Sequence, residues 1–424
     1  MRSRSTSTAR TFSRRTAARS ICGRAARRPS VPISPTSAPS TDGPAGRRLF
    51  HRIHRKEEGV RTGAETRDRR SAGQLPERDP VRVELRPVDA VDVTTLVDNS
   101  SDVLLPDVGP VRRWGPAGSA GPLPIVPSDL AVGFRTVDLL RAEHGFSVLI
   151  EVRVGETTHR VLYDAGATPD GLMANLDRLA ISPDGIEAIV FSHGHFDHVM
   201  GLQGLARRLG SRHLPILVHP DFWTRRRIVG PDGAFELPTP SRAAIEGAGF
   251  VVVDNRRPSF LLDGMLLVTG RIARTTEYET GMPGHQAHRH GRWRPDPLIH
   301  DDQAVVLHLR DRGLVVLTGC GHAGLINILE HAERLTGVGR LHAVLGGFHL
   351  RDGPIVPRTV TALAAADPAV VVPAHCTSWK AQHALFTALP DAFHPNAVGS
   401  RFEFRTSPQP DTAAQGRNGV PDRP

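Results

Sequence analysis

Lysine is almost missing from this chain, with only Lys56 and Lys380 set against 51 arginines. So lopsided a ratio follows from GC-rich coding more readily than from contacts to phosphate, and it weakens a nucleic-acid reading of the +9 net charge. The distribution of charge weakens it further. Residues 1–80 hold 19 Arg and Lys against 7 Asp and Glu, whereas the remainder holds 34 against 37. The body is therefore slightly acidic, and a nucleic-acid partner is not expected.

Cysteine is scarce as well. Cys22, Cys320 and Cys376 lie far apart and form no C-x-x-C pair, which excludes a disulfide scaffold and fits a reducing cytoplasm. No apolar run approaches the ~18 residues of a membrane helix, so no membrane partner is expected. Acid is absent from residues 1–41, which carry nine arginines. That composition suits a transit peptide, a disordered basic tail or an over-extended start, and "PSVPISPTSAPSTDGPAG" (29–46) has the make-up of a linker. Residues 1–80 are expected to lie outside a folded domain of residues 81–405, and 406–424 to form a second disordered tail.

Within the domain, "VRVELRPVDAVDVTTLVDN" (81–99) holds a first strand, and "GFSVLIEVRVGETTHRVLYDAG" (145–166) reads as a β-hairpin around Gly155-Glu156. Helical spacing marks 168–181, the stretch from Val199 to Leu209, and 324–335. Short apolar strands recur at "IEAIVF", "LPILVHP", "FVVVDN", "GMLLVTG", "DQAVVLHL", "GLVVLTG", "LHAVLGG" and "AVVVPAH". This order predicts an α/β fold of two packed sheets with helices outside.

One stretch stands apart. "FSHGHFDHVMGL" (191–202) packs His193, His195, Asp197 and His198 into six residues between a buried strand and a helix. Imidazole nitrogen and carboxylate oxygen are the donors that borderline cations such as Zn²⁺ prefer. The alternation lets His193 and His195 face one ion and Asp197 and His198 another. Further donors sit where strands end: His322 after "VVLTG", His375 after "VVVPA", His349 after "AVLGG", and Asp301-Asp302 ahead of "QAVV". A rigid sheet can hold such donors in place, which marks His322 and His375 as added ligands. Asp164, in "YDAG", either orients a ligand imidazole or caps its own turn; both readings stand open.

In the order "YDAG", "SHGHFDH", "TGCGH", "PAHC", the chain resembles the metallo-β-lactamase superfamily over about residues 81–405. "EHGFSVLIE", "DDQAVV", "TGCGHAGLINIL", "GGFHL" and "HCTSW" make it more closely similar to the branch of dihydropterin ribofuranosyl-aminobenzene phosphate synthases. The resemblance implies a four-layer αβ/βα sandwich with two divalent ions, Zn²⁺ by default and Mn²⁺ or Fe²⁺ as alternatives. It assigns His193 and His195 to the first ion and Asp197, His198 and His375 to the second. The middle of the pattern departs from common members: Asp301-Asp302 and Cys320-Gly321-His322 stand where a histidine and a "TGD" aspartate are usual. His322 is then taken as a ligand, Asp302 as lying close to the metals, and Cys320 as a lesser candidate.

The expected activity is hydrolysis of a small anionic substrate, phosphorylated ones included, by a metal-bound hydroxide, with Asp197 and Asp302 catalytic. Two alternatives use the same platform: a phosphoribosyl-type synthase of the pterin-related branch, and a nuclease. Residues 271–300 are expected to form a long loop over the site that meets an anionic group through Arg274, His285, His288, His290 or Arg292; His349, outside it, either binds substrate or packs.

Overall fold

The β-branched run Ala90–Val97 is buried at all eight positions and pairs on both edges. It runs antiparallel to Ser147–Val154 on one side and to Arg401–Arg405 on the other. The computed structural model that shows this describes residues 82–406. The tail expected at 1–80 lies outside the described residues, as does that expected at 406–424 save for Thr406.

Two large sheets organise this region. The first has eight strands in the order Val251–Asp254, Pro215–Val218, Ala188–Val190, Thr157–Tyr163, Ser147–Val154, Ala90–Val97, Arg401–Arg405, Val111–Arg112. The second has six, in the order Ser259–Leu261, Leu266–Val268, Val305–Leu309, Gly313–Thr318, Leu341–Gly347, Val370–Ala374. The period-two alternation of side chains decides what each face covers. Val148 and Ile150 point into a core shared with Val305, Leu307, Val315 and Leu317 of the other sheet. Leu149 points the other way, onto Leu172, Leu176 and Leu205 of outer helices. Val306, Val316 and Val344 likewise pack outward on Leu325, Ile328 and Leu363. Helix, sheet, sheet, helix: the four-layer sandwich is present.

The expected hairpin turns at Gly155, whose φ of +56° suits glycine. The expected helices appear as Gly171–Arg178, Leu202–Leu209 and Leu325–Thr336. Three features differ from the sequence reading. Residues 271–300 are not simply a loop, because His285–Arg289 and Arg292–Pro295 form a hairpin that joins Arg226–Gly230 and Gly233–Glu236 in a separate four-stranded sheet. Arg401–Arg405 is a strand, its Phe402 and Phe404 buried between polar neighbours. Two further helices, Ile355–Ala365 and Trp379–Ala388, cover the second sheet. Among the described residues, no helix is long and apolar enough to cross a membrane.

Candidate metal centre

Ala188–Val190 is followed by a loop that bends at Ser192 and Gly194, and a single helical turn, Phe196–Val199, begins after the extended His195. The glycine between the first two histidines is required by space: a Cβ on Gly194 would lie 2.1 Å from the Phe222 carbonyl oxygen. Its amide donates to Asp301 Oδ2 at 2.9 Å. Asp301 also holds the guanidinium of Arg226, Nη2 at 2.5 Å from Oδ1, and Arg226 Nε reaches Asp296 at 3.1 Å. Arg226 is 2% exposed and lies on the four-stranded sheet, so that sheet is tied by charge to the histidine loop. Nothing in "TRRRIV" marks the second of three arginines as buried; only the fold reveals it.

The donors gather in two adjoining groups. In the first, His193 Nε2 lies 2.9 Å from His195 Nδ1, and His322 Nε2 lies 3.1 Å and 3.2 Å from these two atoms. Three buried imidazole nitrogens aimed at one point can hold a metal ion. Burial above all holds the three rings well below the usual histidine range, aided by neighbouring histidines and, for His193 and His195, by Arg226. They are neutral at pH 7, the state in which imidazole ligates.

In the second group, Asp197 Oδ2 lies 3.3 Å from His375 Nε2, 3.7 Å from His144 Nε2 and 3.9 Å from His198 Nε2. Cys320 Sγ is 3.1 Å from His198 Nε2 and joins His193 and His198 in a further possible ligand set. Burial would raise the Asp197 carboxyl, but His198 and His375 outweigh it and keep the group ionised. Burial would lower His198, yet Asp164 and Asp197 together raise it to about 9.

Asp164 sits beneath both groups. Its Oδ2 accepts from His198 Nδ1 and from Ser192 Oγ, each at 2.7 Å, and its Oδ1 accepts from the Ser192 amide. Ser192 Oγ is in turn 2.9 Å from His193 Nδ1. One carboxylate thus orients an imidazole of each group, directly or through a hydroxyl. The backbone of Asp164 is left-handed, φ +59°, and so is that of His375, φ +48°. The amide of His375 donates to Asp98 Oδ1 at 2.8 Å.

Asp302, fully buried, accepts from the Ala323 amide at 2.7 Å and so grips the turn that carries His322. Burial raises its carboxyl to about 7, and Oδ1 has no hydrogen-bond partner. The His349 ring lies tilted 4.4 Å from the His322 ring, centre to centre, with Nδ1 unpaired. Arg274 lies at the base of the 271–300 segment, its guanidinium on the carbonyls of Ile272 and Leu298. Two further histidines line the centre, His285, expected over the site with its 271–300 segment, and His144, which the sequence did not single out. His285 comes from the small sheet, buried, 5.0 Å from the His195 ring, and held at about 4 by burial and Arg226. His144, exposed, closes the open side of the second group. "EHGF" and the histidine-rich 271–300 segment were their only signals.

Beside the second group opens a cleft of about 470 Å³ lined by Asn99, Ser100, His144, Cys376, Trp379 and Gln382, among others. No Arg or Lys lines it.

Residues 140–375 match the family model of the metallo-beta-lactamase superfamily. The chain is 27% identical over 270 residues to a 7,8-dihydropterin-6-methyl-4-(beta-D-ribofuranosyl)-aminobenzene-5'-phosphate synthase of Methanocaldococcus jannaschii, spanning 62% of this chain and 90% of that one. An uncharacterized protein of the same archaeon is 30% identical over 246 residues, 57% of this chain and 86% of its own length. Among solved structures, a metal-dependent hydrolase of the beta-lactamase superfamily aligns with a TM-score of 0.55 at 22% identity, over 74% of this chain and 100% of that one. Sheet order, donor geometry and family match agree: the chain belongs to the metallo-beta-lactamase superfamily.

Proposed function

We propose that the chain is a divalent-metal-dependent hydrolase of a small anionic substrate. The carrying observation is the pair of adjoining donor groups, His193, His195 and His322 beside Asp197, His198, His375 and Cys320. The fit rests on the donors themselves: neutral buried imidazoles converge on one point, and a held carboxylate faces the next. Zinc suits this set, and manganese or iron(II) are the alternatives. Ions bound there would supply Lewis acidity and would lower the pKa of a water molecule.

The residues do the rest. Asp164 and Ser192 fix ring orientation, and Asp302 holds the His322 turn. The cleft has the size of a small-molecule site, and no Arg or Lys lines it. An uncharged part of the substrate therefore suits the cleft, leaving the anionic part for the cations. The test is metal content and turnover of phosphoesters, lactones and thioesters by the wild type, His195→Ala and Asp197→Ala proteins. Reduced metal content and lost turnover are expected in both variants; full retention of either property sinks the proposal.

A second reading is favoured by the archaeal relative, whose name is that of a synthase. On this reading, the same cations serve the joining of a dihydropterin-type ring to a ribosyl-aminobenzene phosphate. Supplying both partners separates the two readings. Product that needs the aromatic acceptor marks a synthase, and release of alcohol or acid without it marks a hydrolase.

A further inference from the structure

Cys320 and Cys376 come from strands that are not neighbours. Gly313–Thr318 and Val370–Ala374 flank Leu341–Gly347, and each cysteine lies two residues past the end of its strand. Gly347, the last residue of the middle strand, has no side chain to keep them apart. A Cβ there would fall 2.8 Å from Cys376 Sγ, 3.1 Å from Cys320 Cα and 2.3 Å from the Gly319 oxygen. Cys376 Sγ accordingly reaches across and donates to the Cys320 carbonyl at 3.3 Å. The two sulfurs and a His375 nitrogen all lie within 4.8 Å of one another.

The two thiols differ in access. Cys376 lines the 470 Å³ cleft, whereas Cys320 is 3% exposed and turned toward His198. One thiol that meets solvent and one that waits behind it is the arrangement of an attacking and a resolving cysteine. The two sulfurs, already within 4.8 Å of each other, must close to about 2 Å to form the bond.

We propose that Cys320 and Cys376 form a disulfide when the second donor group holds no ion, so that metal occupancy and thiol oxidation exclude each other. With hydrogen peroxide as oxidant, Cys376 is converted to a sulfenic acid and one water leaves. The sulfur of Cys320 then attacks the sulfenic sulfur, the S–O bond breaks, and a second water carries off the remaining thiol hydrogen. Two electrons pass from the thiols to the peroxide. The product has lost the Cys320 donor. The exclusion by metal rests on the cation reading above, but the disulfide itself does not.

The experiment compares full-length protein stripped by a chelator with the same protein loaded with zinc, both exposed to hydrogen peroxide. Intact mass, peptide mapping without reduction and bound zinc are the readouts, and Cys22 is mapped as the third thiol. In the stripped protein, a Cys320–Cys376 cross-link with loss of two hydrogens is expected. Dithiothreitol should reverse it, Cys376→Ser should abolish it, and zinc should slow it at least about tenfold. Oxidised protein should take up less zinc. The proposal is overturned if stripped protein keeps both thiols free, or gathers sulfinic acid on Cys376 without a cross-link. Equal cross-linking of loaded and stripped protein overturns it too. A wild type that takes up no zinc sinks the cation reading instead, and cross-link yield in that protein still decides the disulfide.

Discussion

The two donor groups share a wall but are built on different principles. The first is uniform, three neutral imidazoles whose positions come from backbone: a glycine-spaced loop and the turn after Gly313–Thr318. The second mixes oxygen, nitrogen and sulfur, and charge holds it, with Asp164 against His198 and Asp197 against His375. A uniform set discriminates by geometry, whereas a mixed set can adapt to ions of differing softness. The first group should therefore be the more sensitive to backbone support and the second to the loss of a neighbouring charge.

The largest expected effect tests the first group at its centre. His195→Ala should remove one ion per chain and cut turnover more than ~100-fold, since even outer partners of ligands cost 10–100-fold; elemental analysis beside kinetics checks it. Next comes the backbone support. Asp301→Ala leaves Arg226 with one carboxylate fewer in a buried site, and should destabilise the fold by about 3 kcal/mol in urea titration. An unchanged midpoint would mean that the small sheet is not coupled to the loop.

Asp164→Asn probes the second group. Its affinity for zinc should fall about 10- to 100-fold, with the first site less affected. Equal losses at both sites would erase the distinction drawn here. The smallest effect is a control for acid. His342, near the start of Leu341–Gly347, is held at about 4 by burial and by Arg312 and Arg340. It stays neutral in the folded state while the unfolded chain gains a proton below about 6.5. Stability is therefore lost as pH falls from about 6.5 toward 4, with no further loss below. His342→Gln should recover about 1 kcal/mol or less at pH 4.5. That separates unfolding by acid from protonation of the ligands.

Much of the fold was legible because its strands are short valine and leucine runs with turns between them. The two central sheets came through for that reason. The strand Arg401–Arg405 did not, since "RFEFR" has two apolar residues and its place depends on a partner far back in sequence. The small sheet was equally hidden, because "RRIVG" and "HQAHR" present polar residues on both faces. At the centre, the tight spacing of "HGHFDH" carried its own signal. His322, His375, Cys320 and Asp164 were flagged by strand ends, and the structure brings all of them together with the loop. Arg226 had no such flag, for its role arises only when Asp296 and Asp301 converge on it from the chain 70 and 75 residues later.

The pairing of Ala90–Val97 bears on how the protein is made. Asp92 and Arg405 form an ion pair across 313 residues of chain. A nascent polypeptide therefore leaves the ribosome with this valine-rich strand bare along one edge until the phenylalanines at 402 and 404 have been translated. Long-range closure of this kind folds slowly and exposes a sticky edge meanwhile. Shielding of that edge, more than the assembly of the histidines, should set the yield of folded protein during synthesis.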